Sequence, residues 1–308
     1  MTEINVPVAP SGEQFELSFG SQQAVVVEVG GGMRTYTVDG RDVIDGYELD
    51  DLAPSGRGQV LVPWPNRIQD GSYEFDGRRH QLPLSEPEHG NAIHGLVRWA
   101  PWRVAEREPA RVVMEYVVHP QPGYPFTLAL EIEYGLGQVG LSVRTTATNV
   151  GTESCPYGCG QHPYLRLGSG TVDALELTAP GTRVLTHDER DLPAGSEPVD
   201  GTEFDFLAGR PIGATKLDNA FTRLERDEDG YARVRLRDPS DGAELTVWLD
   251  ESLDHLMLYT GDDRPDVNRR SLAVEPMSCP PNAFRSGDSL VRLEPGESFS
   301  SSWGIAPW

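Results

Sequence analysis

The side chains of this sequence that could trade protons near neutral pH, or hold a polyol, sit in segments bounded by Gly and Pro. They are Asn66 and Arg67 in PWPNRIQDG, His94 in GNAIHGL, His162 in GQHPYLRL, Asp218 in KLDNAFT and Glu275 in LAVEPMSCPPNAFRSG. An imidazole, with a reference pKa of ~6.5, can give or take a proton with little tuning. A carboxylate sunk in apolar surroundings has its pKa raised and becomes a useful base. Such a His and Glu would support general acid–base catalysis, while Asn, Arg and Asp offer partners to hydroxyl groups. Each residue also has a plainer reading. Glu275 closes the apolar run SLAV and precedes Pro276, so the chain is expected to leave a strand there with the carboxylate facing water. Either histidine could merely satisfy a loop carbonyl, Arg67 could be a surface charge after a turn, and Asp218 a turn cap.

Other chemistries find little support. There is no GxSxG elbow, no HExxH pair and no Walker loop. Lys216 is the sole lysine, so imine chemistry has a single candidate. Cys155, Cys159 and Cys279 cannot all pair, and CPYGC has neither redox nor zinc spacing, so reduced thiols and no metal site are expected. RDEDG lacks the downstream Glu of a calcium loop. Gly135, Gly137 and Gly140 spell the dinucleotide signature GLGQVG, but the β-branched run LSVRTTATN follows where a helix would be needed, so these glycines read as a hairpin turn.

The elements that would carry such residues are strands. Alternation over five to eight residues recurs in QAVVVEVG, RVVMEYVV, TLALEIEYG, VGLSVRTTATN, YARVRLRD and AELTVWLD, and almost nothing has a helical period. Asp76-Gly77 and Asp229-Gly230 each predict a β-hairpin. Strands so numerous imply sheets packed face to face, and 308 residues without a linker predict one large domain over 1–308. A net charge of −22 repels phosphate backbones and anionic lipid, so neither nucleic acid nor membrane is an expected partner. No apolar run approaches the ~20 residues of a membrane span, and the first twenty residues lack a secretion signal, so a cytoplasmic location is expected.

Together, PNRIQDGSYEFDGRRHQLP, NAIHGLVRWAPW, QHPYLRLG, LDNAFT and VEPMSCPPNAF resemble the aldose 1-epimerase (galactose mutarotase) family, in the family's order and over nearly the whole chain. The resemblance implies an all-β, antiparallel β-supersandwich with a sugar site in an open cleft. It implies an isomerase that interconverts the anomers of a free aldohexose without metal or coenzyme, as a monomer or homodimer. By this resemblance His162 matches the general acid and Glu275 the general base. His94 matches a histidine that hydrogen-bonds the sugar near its ring oxygen, Arg67 and Asp218 match hydroxyl-binding residues, and Asn66 a support for its loop. Gly95 is followed by Leu96 where members acting on galactose often carry a second glycine, so the resemblance extends to a hexose rather than to one particular sugar. A hexose-6-phosphate mutarotase, which should turn an arginine cluster to the cleft, and a non-catalytic sugar-binding protein are the alternatives.

Overall fold

A computed structural model describes residues 8–168 and 170–307; residues 1–7 and 308, the ends of the expected domain, lie outside the described residues. Among the described residues two large antiparallel sheets dominate. One runs, in spatial order, through strands Arg103–Glu108, Arg111–Val118, Leu128–Gly137, Gly140–Asn149, Ser298–Pro307, Glu244–Leu249, Ala232–Arg237, Glu176–Thr178 and Arg210–Pro211. The other runs through Pro193–Pro198, Gly181–His187, Asp218–Leu224, His255–Tyr259, Leu272–Met277, Gly160–Gln161 and Val60–Leu61, with Tyr164–Leu165 also pairing Leu272–Met277. A smaller sheet of Gln14–Phe19, Gln22–Val27, Met33–Val38 and Arg41–Asp42 is paired with neither of these but packs against the first of them.

The period-two pattern explains the layering. In Leu128–Gly137, residues Leu128, Leu130, Ile132, Tyr134 and Leu136 are buried while the intervening side chains are more exposed. They meet Leu256, Leu258, Leu272 and Val274 of the second sheet in one apolar cluster reaching from Phe15 to Ile305. This is the β-supersandwich expected. The six residues of Leu272–Met277 are all buried, because the strand is covered on both faces. Leu272 and Val274 face the main core, whereas Ala273 and Met277 belong to small separate clusters on the opposite face. That opposite face forms the floor of a cleft.

Turn chemistry is obeyed at Asp76-Gly77, where Phe75 pairs with Arg78 and both turn residues have positive φ. The glycines of GLGQVG also sit at a hairpin, Gly137 pairing with Gly140. Asp229-Gly230 differs from its expectation. It makes a tight turn, with the Asp227 amide donating to the Tyr231 carbonyl, but the strands on either side, Asp218–Leu224 and Ala232–Arg237, join different sheets. A turn reverses the chain locally; the pairing partner is chosen by the surrounding layers.

Candidate active site

Strand register brings His162 and Glu275 together. Gly160 pairs with Met277 and Tyr164 with Ala273, which sets His162 directly across from Glu275 on neighbouring strands. On the other side of Leu272–Met277, Glu275 pairs with Met257 and Met257 with Ala220. Two residues further along, Tyr164, Ala273, Tyr259 and Asp218 form the next cross-strand row. Because side chains two apart share a face, both rows look into the same cleft.

The cleft has a volume of about 650 Å³, and Asn66, Arg67, His94, His162, Asp218 and Glu275 all line it. Nε2 of His162 lies 3.3 Å from Oε1 of Glu275, with side chains only 8% and 3% exposed. Glu275 therefore does not face water, and its strand does not end there: it continues through Pro276 to Met277. The local rule that a proline ends a strand is overridden because neighbours on both sides hold the register. Burial pushes the Glu275 carboxyl well above the usual range, reinforced by Asp218 and opposed by Arg67. Burial also draws His162 down to about 3, aided by the positive charges of Arg98 and Arg57. Both effects favour the neutral forms, so the pair shares one proton in this buried setting.

A short strand pair supplies the wall. Arg67 of Arg67–Gln69 pairs with Ile93 of Asn91–Ile93, which sets Asn66 opposite His94. The His94 amide donates to the Asn66 carbonyl at 2.9 Å, and the Asn66 amide donates to Nδ1 of His94 at 3.2 Å. With Nδ1 accepting, a neutral His94 carries its proton on Nε2 and has a donor to offer the cleft. Burial holds that imidazole well below its ordinary pKa. The side-chain oxygen of Asn66 also accepts from the Arg67 amide. Arg67 is no surface charge: its guanidinium makes two hydrogen bonds of 2.9 Å to the Glu86 carboxylate and lies 3.5 Å from Asp191. Asp218 opens its strand rather than capping a turn, and burial raises its pKa against the pull of Arg67.

Several lining residues escaped sequence reasoning: Gln59, Glu86, Arg98, Tyr164, Asp191 and Tyr259. Tyr164 stands two residues after His162 on the same face, so the strand period could have pointed to it. Of the tryptophans, Trp64 packs edge-on against Phe284 in the core, Trp248 packs against Tyr231, and Trp99, 52% exposed, lies at the cleft. The three cysteines are free and buried. Among the described residues no helix is long and apolar enough to cross a membrane.

Gly95 fixes the approach of His94. It has φ +71° and a Cβ there would lie 2.0 Å from the Val62 carbonyl oxygen. Gly95→Ala should cost about 2 kcal/mol or more, from strain plus backbone clash, as read by urea unfolding. Unchanged stability would mean that the segment relaxes without cost.

A β-supersandwich whose sheet face lines an open cleft defines a galactose mutarotase-like fold. The family model for aldose 1-epimerase matches residues 13–306, and the chain belongs to that family. It is 35% identical to the protein YihR of Escherichia coli K12, over 93% of this chain and 91% of that one. Solved structures share the fold. An aldose epimerase homologue from C. elegans superposes with a TM-score of 0.86 at 18% identity, covering 96% of this chain and 98% of the other. The galactose 1-epimerase of Lactobacillus acidophilus gives 0.78 at 22% identity, covering 95% and 93%.

Proposed function

We propose that this protein is a mutarotase that interconverts the α and β anomers of a free aldohexose by acid–base ring opening and closure. The observation that carries the reading is the 3.3 Å approach of His162 to Glu275 on the floor of the cleft. Moving the shared proton from Glu275 to His162 yields carboxylate and imidazolium. The carboxylate then takes the proton of the anomeric hydroxyl while the imidazolium gives its proton to the ring oxygen. The bond from the anomeric carbon to the ring oxygen breaks, and the free aldehyde forms. Rotation about the bond between the first two carbons exposes the other carbonyl face. Closure reverses both transfers: protonated Glu275 donates to the carbonyl oxygen and neutral His162 takes the proton of the chain hydroxyl. Closure leaves carboxylate and imidazolium, and return of the proton from His162 to Glu275 restores the neutral pair that burial favours. His94, Arg67 and Asp218 hold the sugar, in line with the family resemblance.

Glu86, Glu88, Asp191, Asp218, Asp263 and Glu275 line the cleft against Arg67, Arg98 and Arg264, a balance that suits neutral hydroxyls better than a phosphate dianion. Polarimetry on freshly dissolved α-glucose and α-galactose should show relaxation faster with protein than without. No acceleration with any sugar, despite calorimetric binding, would favour the non-catalytic alternative. One observation supports a sugar carrying an anionic group: Arg98 lines the cleft with no carboxylate in ion-pair reach among the described residues, whereas Arg67 and Arg264 are paired. If so, Arg98→Ala should weaken a 6-phosphate or 6-sulfonate sugar about tenfold or more and leave the neutral sugar unaffected.

The buried pair also sets the pH response. An ordinary histidine would produce an acid limb near pH ~6.5. With His162 held down at about 3, its protonation is postponed, and kcat/KM should not fall on acidification. A polarimetric profile from about pH 8 to about pH 5 tests this, and a limb between about 6 and 7 would contradict it.

A further inference from the structure

The histidine on the floor has an unusual support. Its far nitrogen, Nδ1, is buried and meets no partner from another residue, so beyond the Nε2 contact with Glu275 no second hydrogen bond from a neighbour sets the ring plane. Orientation must come from packing. The imidazole stacks on the Tyr164 ring, with centroids 4.8 Å apart and planes 19° from parallel. Gly56 approaches from the loop before it: a Cβ there would lie 3.1 Å from Cδ2 of the imidazole. That loop is tied to the strand on both sides, the Gly58 amide donating to the His162 carbonyl and the His162 amide to the Gln59 carbonyl.

Both supports converge on one side chain. The Arg57 guanidinium lies 5.3 Å from the centre of the Tyr164 ring, within cation–π range. Its Nη1 donates to the Pro54 carbonyl at 3.0 Å, and the Tyr164 hydroxyl donates to the Ser55 carbonyl at 2.9 Å, so the turn at Pro54–Gly56 is gripped twice. Arg57 is itself held from two directions: 3.1 Å to the carboxylate of Asp45 and 2.6 Å to that of Asp266, with a further hydrogen bond to the Asp266 carbonyl. Its side chain and that of Asp45 are 3% and 2% exposed.

Resting on the proposed acid–base role of His162, we propose that Arg57, pinned between Asp45 and Asp266, is a positioning residue that sets the His162 imidazole against Glu275 through Tyr164 and the Gly56 loop. Arg57 touches neither Glu275 nor the open part of the cleft, and serves by fixing a ring that lacks the usual second hydrogen bond. The charged and titratable groups around His162 are Glu275 from the neighbouring strand, His94 and Arg98 from the wall, Arg57 from the loop and Tyr164 on its own segment; Asp218 and Arg67 bear on Glu275. Loss of Arg57 removes one of the two positive charges that oppose an imidazolium and loosens the ring at once.

The test combines polarimetry with NMR of protein carrying ¹⁵N-labelled histidine, free of sugar. In Arg57→Gln, kcat should fall about 10- to 100-fold, as misplacement of a reacting group predicts, with KM within about twofold. The His162 ring resonances should broaden and titrate at higher pH than in the wild type. Arg57→Lys, which keeps a cation near both carboxylates, should recover part of kcat. Should Arg57→Gln fail to fold, Tyr164→Leu and Asp266→Ala, Asp266 being 44% exposed, are read by kcat and by broadening of the His162 ring resonances. A folded Arg57→Gln with kcat and the His162 titration unchanged, or both replacements with kcat and the His162 resonances unchanged, would overturn the proposal. The NMR readout needs no turnover, so absence of epimerase activity in the wild type would leave the positioning result interpretable.

Discussion

Glu275→Gln is expected to lower kcat/KM by about 10²- to 10⁴-fold, the contribution of one positioned acid–base group, while leaving the protein folded. The physical case rests on burial. Glu275 is 2% exposed and its pKa is raised, so the resting carboxyl is neutral and an amide of the same shape replaces it without removing a charge. One of its oxygens, Oε2, has no partner in the free protein, which leaves room for an amide nitrogen at little cost. A sugar hydroxyl meeting that amide finds no base. His162→Ala should lose activity on the same scale, and the double variant should be little worse than the poorer single one, because both groups serve one coupled transfer. Polarimetric rates beside thermal melts decide the matter. Glu275→Gln within about tenfold of wild type would remove Glu275 from the base role.

Asp45→Ala should cost about 3–5 kcal/mol of stability, the range for stripping the partner from a buried charge. Asp45 accepts hydrogen bonds from Arg57, Arg166, Arg270 and the Ser271 hydroxyl at a site almost closed to water. Burial pushes its carboxyl up, but Arg270 and Arg57 outweigh it and hold the pKa below the usual range. Arg166 and Arg270, 27% and 44% exposed, can turn to solvent when the carboxylate is lost. Arg57 cannot, and would keep only Asp266. Asp45→Asn, which retains the shape and one acceptor, should cost less. Urea unfolding midpoints at constant slope provide the measurement. A loss below about 1 kcal/mol in Asp45→Ala would mean that Asp266 alone stabilises the guanidinium.

Particular residues show why some of this was legible in the amino-acid order. Alternation in Leu128–Gly137 and Gly140–Asn149 is a local pattern, and burying one face of a pleated strand demands it wherever the strand lies. Asp76-Gly77 names its own turn type, because few residues tolerate two successive positive φ values. Asp229-Gly230 carries the same signal, yet the strand after it enters the other sheet. The six candidate site residues were picked out by type, and the roles proposed for them came from a family resemblance. The supports, Arg57, Tyr164, Asp45 and Glu86, were missed because an arginine–carboxylate contact leaves no periodic trace in sequence.

By itself, then, the sequence determined the material: strands rather than helices, tight turns where Asp meets Gly, an acidic surface, and a handful of side chains able to move protons or hold hydroxyls. Only the tertiary structure decided which of them meet. Antiparallel register, set by hydrogen bonds along whole strands and by the apolar layer beneath them, laid His162 beside Glu275 and Asn66 beside His94. The same layering buried His162 and Glu275 and so shifted both toward their neutral forms, since the cost of a charge depends on the water excluded around it and not on the residues next to it in the chain.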